Sequence, residues 1–92
     1  MNNERRERVR VVIYTRPGCH LCDEAKLEIA RADCSDLFTL EEINIDADPS
    51  LATRYGYDIP VVTINGIHAF KHRLTAEEFE RELRRAFDSH DY

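Results

Sequence analysis

Val11-Val12-Ile13-Tyr14-Thr15-Arg16-Pro17-Gly18-Cys19-His20-Leu21-Cys22 is the stretch that decides how this chain is read: a β-branched apolar run, a Pro-Gly break, and two cysteines separated by two residues. The run from Val9 to Tyr14 is nearly continuous in apolar character, as expected for a strand buried on both faces. Pro17-Gly18 ends it. From His20 to about Ala32, the residues Leu21, Ala25, Ile29 and Ala32 recur at helical spacing, so the cysteines fall at a strand-to-helix junction. On the first turn of a helix their sulfurs approach closely enough to close a small disulfide ring. The first cysteine also meets the positive end of the helix dipole, which favours thiolate over thiol. The pair therefore reads as a redox dithiol, with one sulfur attacking and the other resolving. Two alternatives stand beside it, half of a structural zinc site or a chance pair. Zinc needs further ligands at comparable spacing, and the chain offers only Cys34, His20, His68, His72 and His90.

Ninety-two residues make one domain with a modest core. Three cysteines do not make a disulfide scaffold, and no apolar stretch approaches a membrane span. The charged N-terminus carries no hydrophobic signal core, so a reducing cytoplasm is the expected location. A formal net charge of −5 disfavours nucleic acid as partner. Arg5, Arg6, Arg8 and Arg10, interleaved with Glu4 and Glu7, read as a solvated end rather than a binding arm. The expected organisation is a disordered charged tail over 1–8, a domain over 9–88 and a short tail over 89–92.

Farther along, Phe38 to Ile45 reads as a second strand, with a phase change between Leu40 and Ile43 that suggests a bulge. Asp48-Pro49 opens a short helix to about Tyr55, with Gly56 as its left-handed stop. Val61 to Ile64 and Ile67 to Phe70 flank Asn65-Gly66, the strongest two-residue hairpin signal. Thr75-Ala76-Glu77-Glu78 is a capping box for a final helix with Phe79, Leu83, Ala86 and Phe87 on its apolar stripe. The order is βαβαββα. A right-handed crossover makes the first two strands parallel and the hairpin antiparallel, giving an α/β fold with a four-stranded mixed sheet flanked by helices. The cysteines lie at the carboxyl end of the first strand, where open α/β sheets place their sites.

Together, Val11 to Cys22, Ile59-Pro60-Val61-Val62 and Asn65-Gly66 resemble the glutaredoxin branch of the thioredoxin superfamily, closest to its small glutaredoxin-like proteins with a non-standard dipeptide between the cysteines. The resemblance covers about Val9 to Phe87. It implies a thioredoxin-like fold, Cys19 as the attacking thiolate, Cys22 as the resolving thiol, and a cis Ile59-Pro60 bond against which a substrate segment pairs as an added strand. Arg16 stands where glutaredoxins usually carry a lysine for a carboxylate of glutathione. Tyr14 matches an aromatic at the end of the first strand. The departures are as informative. Typical glutaredoxins have a glycine pair, then Ser or Thr and Asp, before the last helix; here Lys71-His72-Arg73-Leu74-Thr75-Ala76 keeps only the threonine. Lys71 and Arg73 are candidates for meeting a carboxylate or an acidic protein instead. Thioredoxin itself fits less well, because no tryptophan precedes the pair and Ile13 stands at its buried-acid position. His20, when charged, stabilises the Cys19 thiolate, while Asp23 and Glu24 oppose it.

The resulting expectation is a monomeric thiol-disulfide oxidoreductase acting on protein or glutathione substrates, with glutathione or a reductase as the electron donor and no tightly bound cofactor, metal, nucleic acid or membrane. Its rival is an iron–sulfur protein in which Cys19, with or without Cys22 and with an external thiol, ligates a cluster in a dimer. Cys34 is expected to be a buried small hydrophobe.

Overall fold

The computed structural model describes residues 8–89; the expected tail residues 1–7 and 90–92 lie outside it. The order of elements is β1 (Val9–Thr15), α1 (His20–Arg31), β2 (Phe38–Asn44), α2 (Pro49–Tyr55), β3 (Val61–Ile64), β4 (Ile67–Lys71) and α3 (Ala76–Ser89), with short 3-10 turns at Ser35–Leu37 and Ile45–Ala47. The sheet order is β2-β1-β3-β4. β1 runs parallel to β2 and antiparallel to β3, and β3 to β4 is antiparallel.

The two central strands account for the continuous apolar runs. Val9, Val11 and Ile13 of β1 and Val62 and Ile64 of β3 face a core completed by Ala25, Ile29 and Ala32 of the first helical segment and by Leu74, Phe79 and Leu83 at the α3 end. Each of the large side chains here contributes roughly 1.5–3 kcal/mol by leaving water. Phe38 meets Phe79 edge-on at 5.2 Å between ring centroids, a favoured aromatic geometry. On the opposite face Tyr14 packs on Tyr55 of α2, with ring centroids 4.5 Å apart. Both faces of β1 and β3 are thereby covered, which is why they do not alternate in polarity.

β2 behaves differently because it is an edge. Its residues are half-buried or exposed, Leu40 included. The expected bulge is absent there: the register from Val9↔Phe38 to Thr15↔Asn44 is unbroken. The phase change arises because Ile45 lies beyond the strand, fully buried at the head of a 3-10 turn. The sheet's irregularity is instead in the hairpin, between Val62 and Thr63. Asn65 (φ 52°) and Gly66 (φ 81°) both adopt the left-handed backbone of the tight turn. Asn65 Oδ1 also accepts from the Arg10 N–H at 3.0 Å, fastening the hairpin to β1. Arg10 itself lies within β1 and reaches Glu41 across the strand pair at 3.4 Å, so it is no part of a tail.

Asp48 caps α2 by accepting from the Ser50 N–H at 2.9 Å, and Pro49 follows as the first helical residue. Gly56 does not supply a left-handed stop, since its φ and ψ are −55° and −31°. Glycine fits there for a different reason: a Cβ would stand 2.5 Å from the Ala52 carbonyl oxygen.

Candidate functional site

Thr15 ends β1, and the chain turns through Arg16-Pro17-Gly18-Cys19. Cys19 N–H donates to the Arg16 carbonyl at 3.2 Å, and Gly18 has φ 80°. Proline followed by a positive-φ glycine is the chemistry of a type II turn. This turn delivers Cys19 to the N-cap of α1, in extended conformation, where its Sγ accepts from the Cys22 N–H at 3.1 Å. An N-cap sulfur that already accepts a backbone N–H sits where a thiolate is best stabilised.

Cys19 and Cys22 are joined as a disulfide, with Cα atoms 5.2 Å apart. Their exposures differ. Cys19 is half-buried, whereas Cys22 is only 1% exposed, on the sheet-facing side of α1 with Ala25 and Ile29. Leu21, read from sequence as part of that buried stripe, is half-buried and lines a groove instead. His20 is exposed. Cys34 is buried in the core cluster as a free thiol, and its burial pushes the pKa up, with nearby Glu80 adding to the effect.

The Ile59-Pro60 bond is cis. Pro60 is fully buried, and its carbonyl accepts from the His72 N–H at 2.8 Å. His72 also places Nε2 3.1 Å from the Tyr57 carbonyl, so two bonds fasten the segment before α3 to the segment before β3. His72 holds φ 69° although it has a side chain. The left-handed backbone costs such a residue about 1 kcal/mol.

Arg16 and Arg73 do not share a cavity. Arg16 Nε donates to Asp46 Oδ1 at 2.9 Å, and its side chain lies in the small cavities beside the Pro17-Gly18 turn and beside Gly56. Arg73 is exposed, forms no ion pair among the described residues, and lines a groove of about 590 Å³ between α1 and the segment before α3. The groove has Leu21, Ala25, Leu27 and Leu74 among its apolar lining. Lys71 stands 4.0 Å from Asp58, a loose surface pair.

Sequence reasoning missed two polar arrangements. Glu28 of α1 reaches across to accept from the Ala76 N–H at 2.8 Å, adding a second cap to α3 beside the Thr75–Glu78 box. The other lies next to Cys22: Glu42 Oε2 accepts from Thr15 Oγ1 at 2.9 Å and from Lys26 Nζ at 3.0 Å. The Lys26 bond, then the Thr15 bond, holds the Glu42 carboxyl below the usual carboxylate range, and the Glu42 bond raises the Lys26 pKa. Lys26 at four residues from Cys22 was a local signal for one face of α1; Glu42 comes from another strand and left none.

Residues 10–84 match the family model described as Glutaredoxin-like domain (DUF836). The chain belongs to the glutaredoxin-like domain family. This glutaredoxin-like protein is 35% identical over 81 residues to the Glutaredoxin-like protein YDR286C homolog of Dictyostelium discoideum, covering 82% of this chain and 75% of that one. Among solved structures it is similar to protein Ne2328 from Nitrosomonas europaea, at 30% identity and a TM-score of 0.72, over 90% of this chain and 99% of the other. Thioredoxin-2 of a malaria parasite aligns with a TM-score of 0.67 over 85% and 82% of the two chains, at 15% identity, and shows the shared thioredoxin fold. The glutaredoxin-like protein thus has the α/β thioredoxin-type architecture expected from its sequence, with a cysteine pair at disulfide distance. No helix of its described residues is long and apolar enough to cross a membrane. Among the described residues no three His, Cys, Asp or Glu side chains converge on a metal position.

Proposed function

We propose that this chain is a thiol-disulfide oxidoreductase of protein disulfides, working in a reducing compartment through Cys19 and Cys22. The unequal exposure of the two sulfurs at the head of α1 is the observation that supports it most. The Cys19 thiolate attacks one sulfur of a substrate disulfide; that S–S bond breaks, and the second substrate sulfur leaves with the electron pair and takes up a proton. Buried Cys22 then attacks Cys19, the mixed disulfide breaks, and the substrate departs as a dithiol. The chain is left oxidised by two electrons, as a Cys19–Cys22 bridge that glutathione or a reductase reopens.

Protein substrates are favoured over glutathione. Where a glycine pair would let a tripeptide approach bare backbone, the stretch before Thr75 carries side chains throughout, and the His72 N–H within it is already given to the Pro60 carbonyl. Ile59 and Pro60 are assigned to hold the substrate backbone, Arg16 and Arg73 to meet carboxylates, and His20 to favour the Cys19 thiolate. The groove beginning at Leu21 offers apolar surface beside an unpaired Arg73 guanidinium, suited to an apolar, acidic flank of the substrate cysteine.

Single cysteine variants test the assignment. Cys19→Ser is expected to abolish disulfide exchange, and Cys22→Ser to accumulate mixed disulfides visible by mass under non-reducing conditions. Equal activity of the two variants would overturn it, and visible absorbance in anaerobically purified protein would favour cluster ligation by Cys19.

A further inference from the structure

A cavity of about 230 Å³ lies between β1, β2 and the start of α1, and Thr15, Cys22, Lys26, Glu42 and Asn44 are among the residues that line it. Cys22 is 1% exposed. When it resolves a mixed disulfide it must lose its thiol proton, because the thiolate is the nucleophile. A sulfur so deeply buried needs an acceptor and a path that carry the proton out to bulk water. Two carboxylates line this cavity, Asp23 and Glu42, and Glu42 is the one fixed by two donors: its Oε2 meets Thr15 Oγ1 and Lys26 Nζ at 2.9 and 3.0 Å. The placement follows from register. Glu42 pairs with Ile13, so it shares the α1-facing side of the sheet with Ile13 and Thr15, just outside the apolar core. Its outer part is exposed, at 46% for the side chain, so a proton taken from inside passes to bulk water.

We propose that Glu42 is the proton acceptor for Cys22 in the resolving step, working through a water in this cavity, with Lys26 and Thr15 as the positioning residues that aim it. The proposal rests on the oxidoreductase reading and deepens it. The polar lining and the volume suit one or more waters, each occupying about 30 Å³. In the step itself, the Cys22 S–H bond breaks and its proton moves through water to Glu42. The Cys22 electron pair forms the bond to Cys19. The Cys19–substrate bond breaks, and the substrate sulfur leaves with that electron pair. Glu42 then returns its proton to solvent or to the departing thiolate. No other reactant is needed. In the resting dithiol the Glu42 charge also disfavours a Cys22 thiolate, which leaves the anionic form to Cys19. The charged groups facing Glu42 are Lys26 and, 3.8 Å from the Lys26 ammonium, Asp23, both on α1; Arg16, on the preceding turn, is paired with Asp46. The Lys26 and Thr15 hydrogen bonds hold the Glu42 carboxyl below the usual carboxylate range; they lower its basicity, and what they contribute to the step is the fixed position of an ionised acceptor beside the cavity.

The test uses the reduced full chain with one equivalent of dithiobis(nitrobenzoate), followed by stopped flow. Attack by Cys19 releases the first coloured thiolate and resolution by Cys22 the second, so the two steps are read separately, and the good leaving group needs no proton of its own. Glu42→Gln is expected to slow the second release by about a hundredfold at pH 7 and leave the first unchanged. The deficit should shrink as pH rises, because the thiol then ionises without help from the carboxylate. Lys26→Met, which keeps the acceptor and removes its partner, should move the acid-side fall of the second release to higher pH. Equal slowing of both releases, a deficit that persists at alkaline pH, a Glu42→Gln second release at the wild-type rate, or an unmoved acid limb in Lys26→Met would overturn the role. Failure of the wild type to give any second release would instead bring down the oxidoreductase reading itself.

Discussion

Replacing Glu28 by alanine removes the only α1 carboxylate that caps α3 among the described residues, and the cost can be worked from its contacts. Its Oε1 accepts from the Ala76 N–H at 2.8 Å, and its Oε2 lies 3.4 Å from Arg31. A cap lost at a helix start costs about 1 kcal/mol, and a charged acceptor raises the value of such a bond to about 1.5–3 kcal/mol. The side chain is 28% exposed, so water replaces part of what is lost, and about 1.5 kcal/mol is expected. The exposed Arg31 pair adds only about 0.3 kcal/mol. For a domain of this size 1 kcal/mol shifts Tm by about 4–8 °C, so Glu28→Ala, losing both contacts, should melt about 7–14 °C below the wild type in a circular-dichroism scan. Glu28→Gln, which keeps an acceptor but loses the charge, should fall about midway, and Arg31→Ala should move Tm by no more than about 2 °C. The reasoning fails if Glu28→Ala melts with the wild type, or if Arg31→Ala matches it.

At His72, whose φ is 69°, Gly should be better tolerated than Ala by about 1 kcal/mol, because both lose the Tyr57 contact but only alanine keeps the left-handed strain; urea melts of the two variants decide it. Glu42 has a depressed pKa in the folded chain, so its stabilisation is fully present above its ordinary value of 4.5 and is lost as pH falls through the lower folded value. The stability gap between wild type and Glu42→Gln, measured in urea from pH 7 downward, should therefore close at the acid end; a gap that widens in acid would refute the sign. Cys34, buried and with its pKa raised, should resist iodoacetamide at neutral pH in the reduced native chain while Cys19 is alkylated, and react once urea unfolds it. Simultaneous labelling of Cys19 and Cys34 by mass would contradict the packing.

Local chemistry was what the sequence made legible. The Asn65-Gly66 turn, the Asp48-Pro49 helix start, the Thr75–Glu78 box and the Pro17-Gly18 turn ahead of Cys19 each involve neighbours along the chain, and each fixes an element boundary. The Val9 to Tyr14 run announced a strand covered on both faces because, Arg10 apart, its residues are apolar without alternation. β2 misled, since an edge strand does not need the alternation of a half-buried one, and Ile45 belonged to the next turn. Gly56 misled because glycine answers to close approach as well as to positive φ. In the candidate site, the cysteines were visible from spacing, but the Glu42 cluster and the Glu28 cap join residues on different elements. Such pairs depend on register and on how the helices pack, and no periodicity encodes them.

The Arg16–Asp46 pair means that the arginine on the turn before Cys19 arrives with a resident anion. Asp46 is tethered through its own chain, so its effective concentration at Arg16 is in the range of short linked partners, about millimolar. A carboxylate of a dilute small molecule competes poorly with such a neighbour at the Nε side. A protein partner docked at the cysteines presents its own acid at comparable local concentration and competes on level terms. On the proposed function, the pair would act as a threshold, admitting anions that come attached to something already bound.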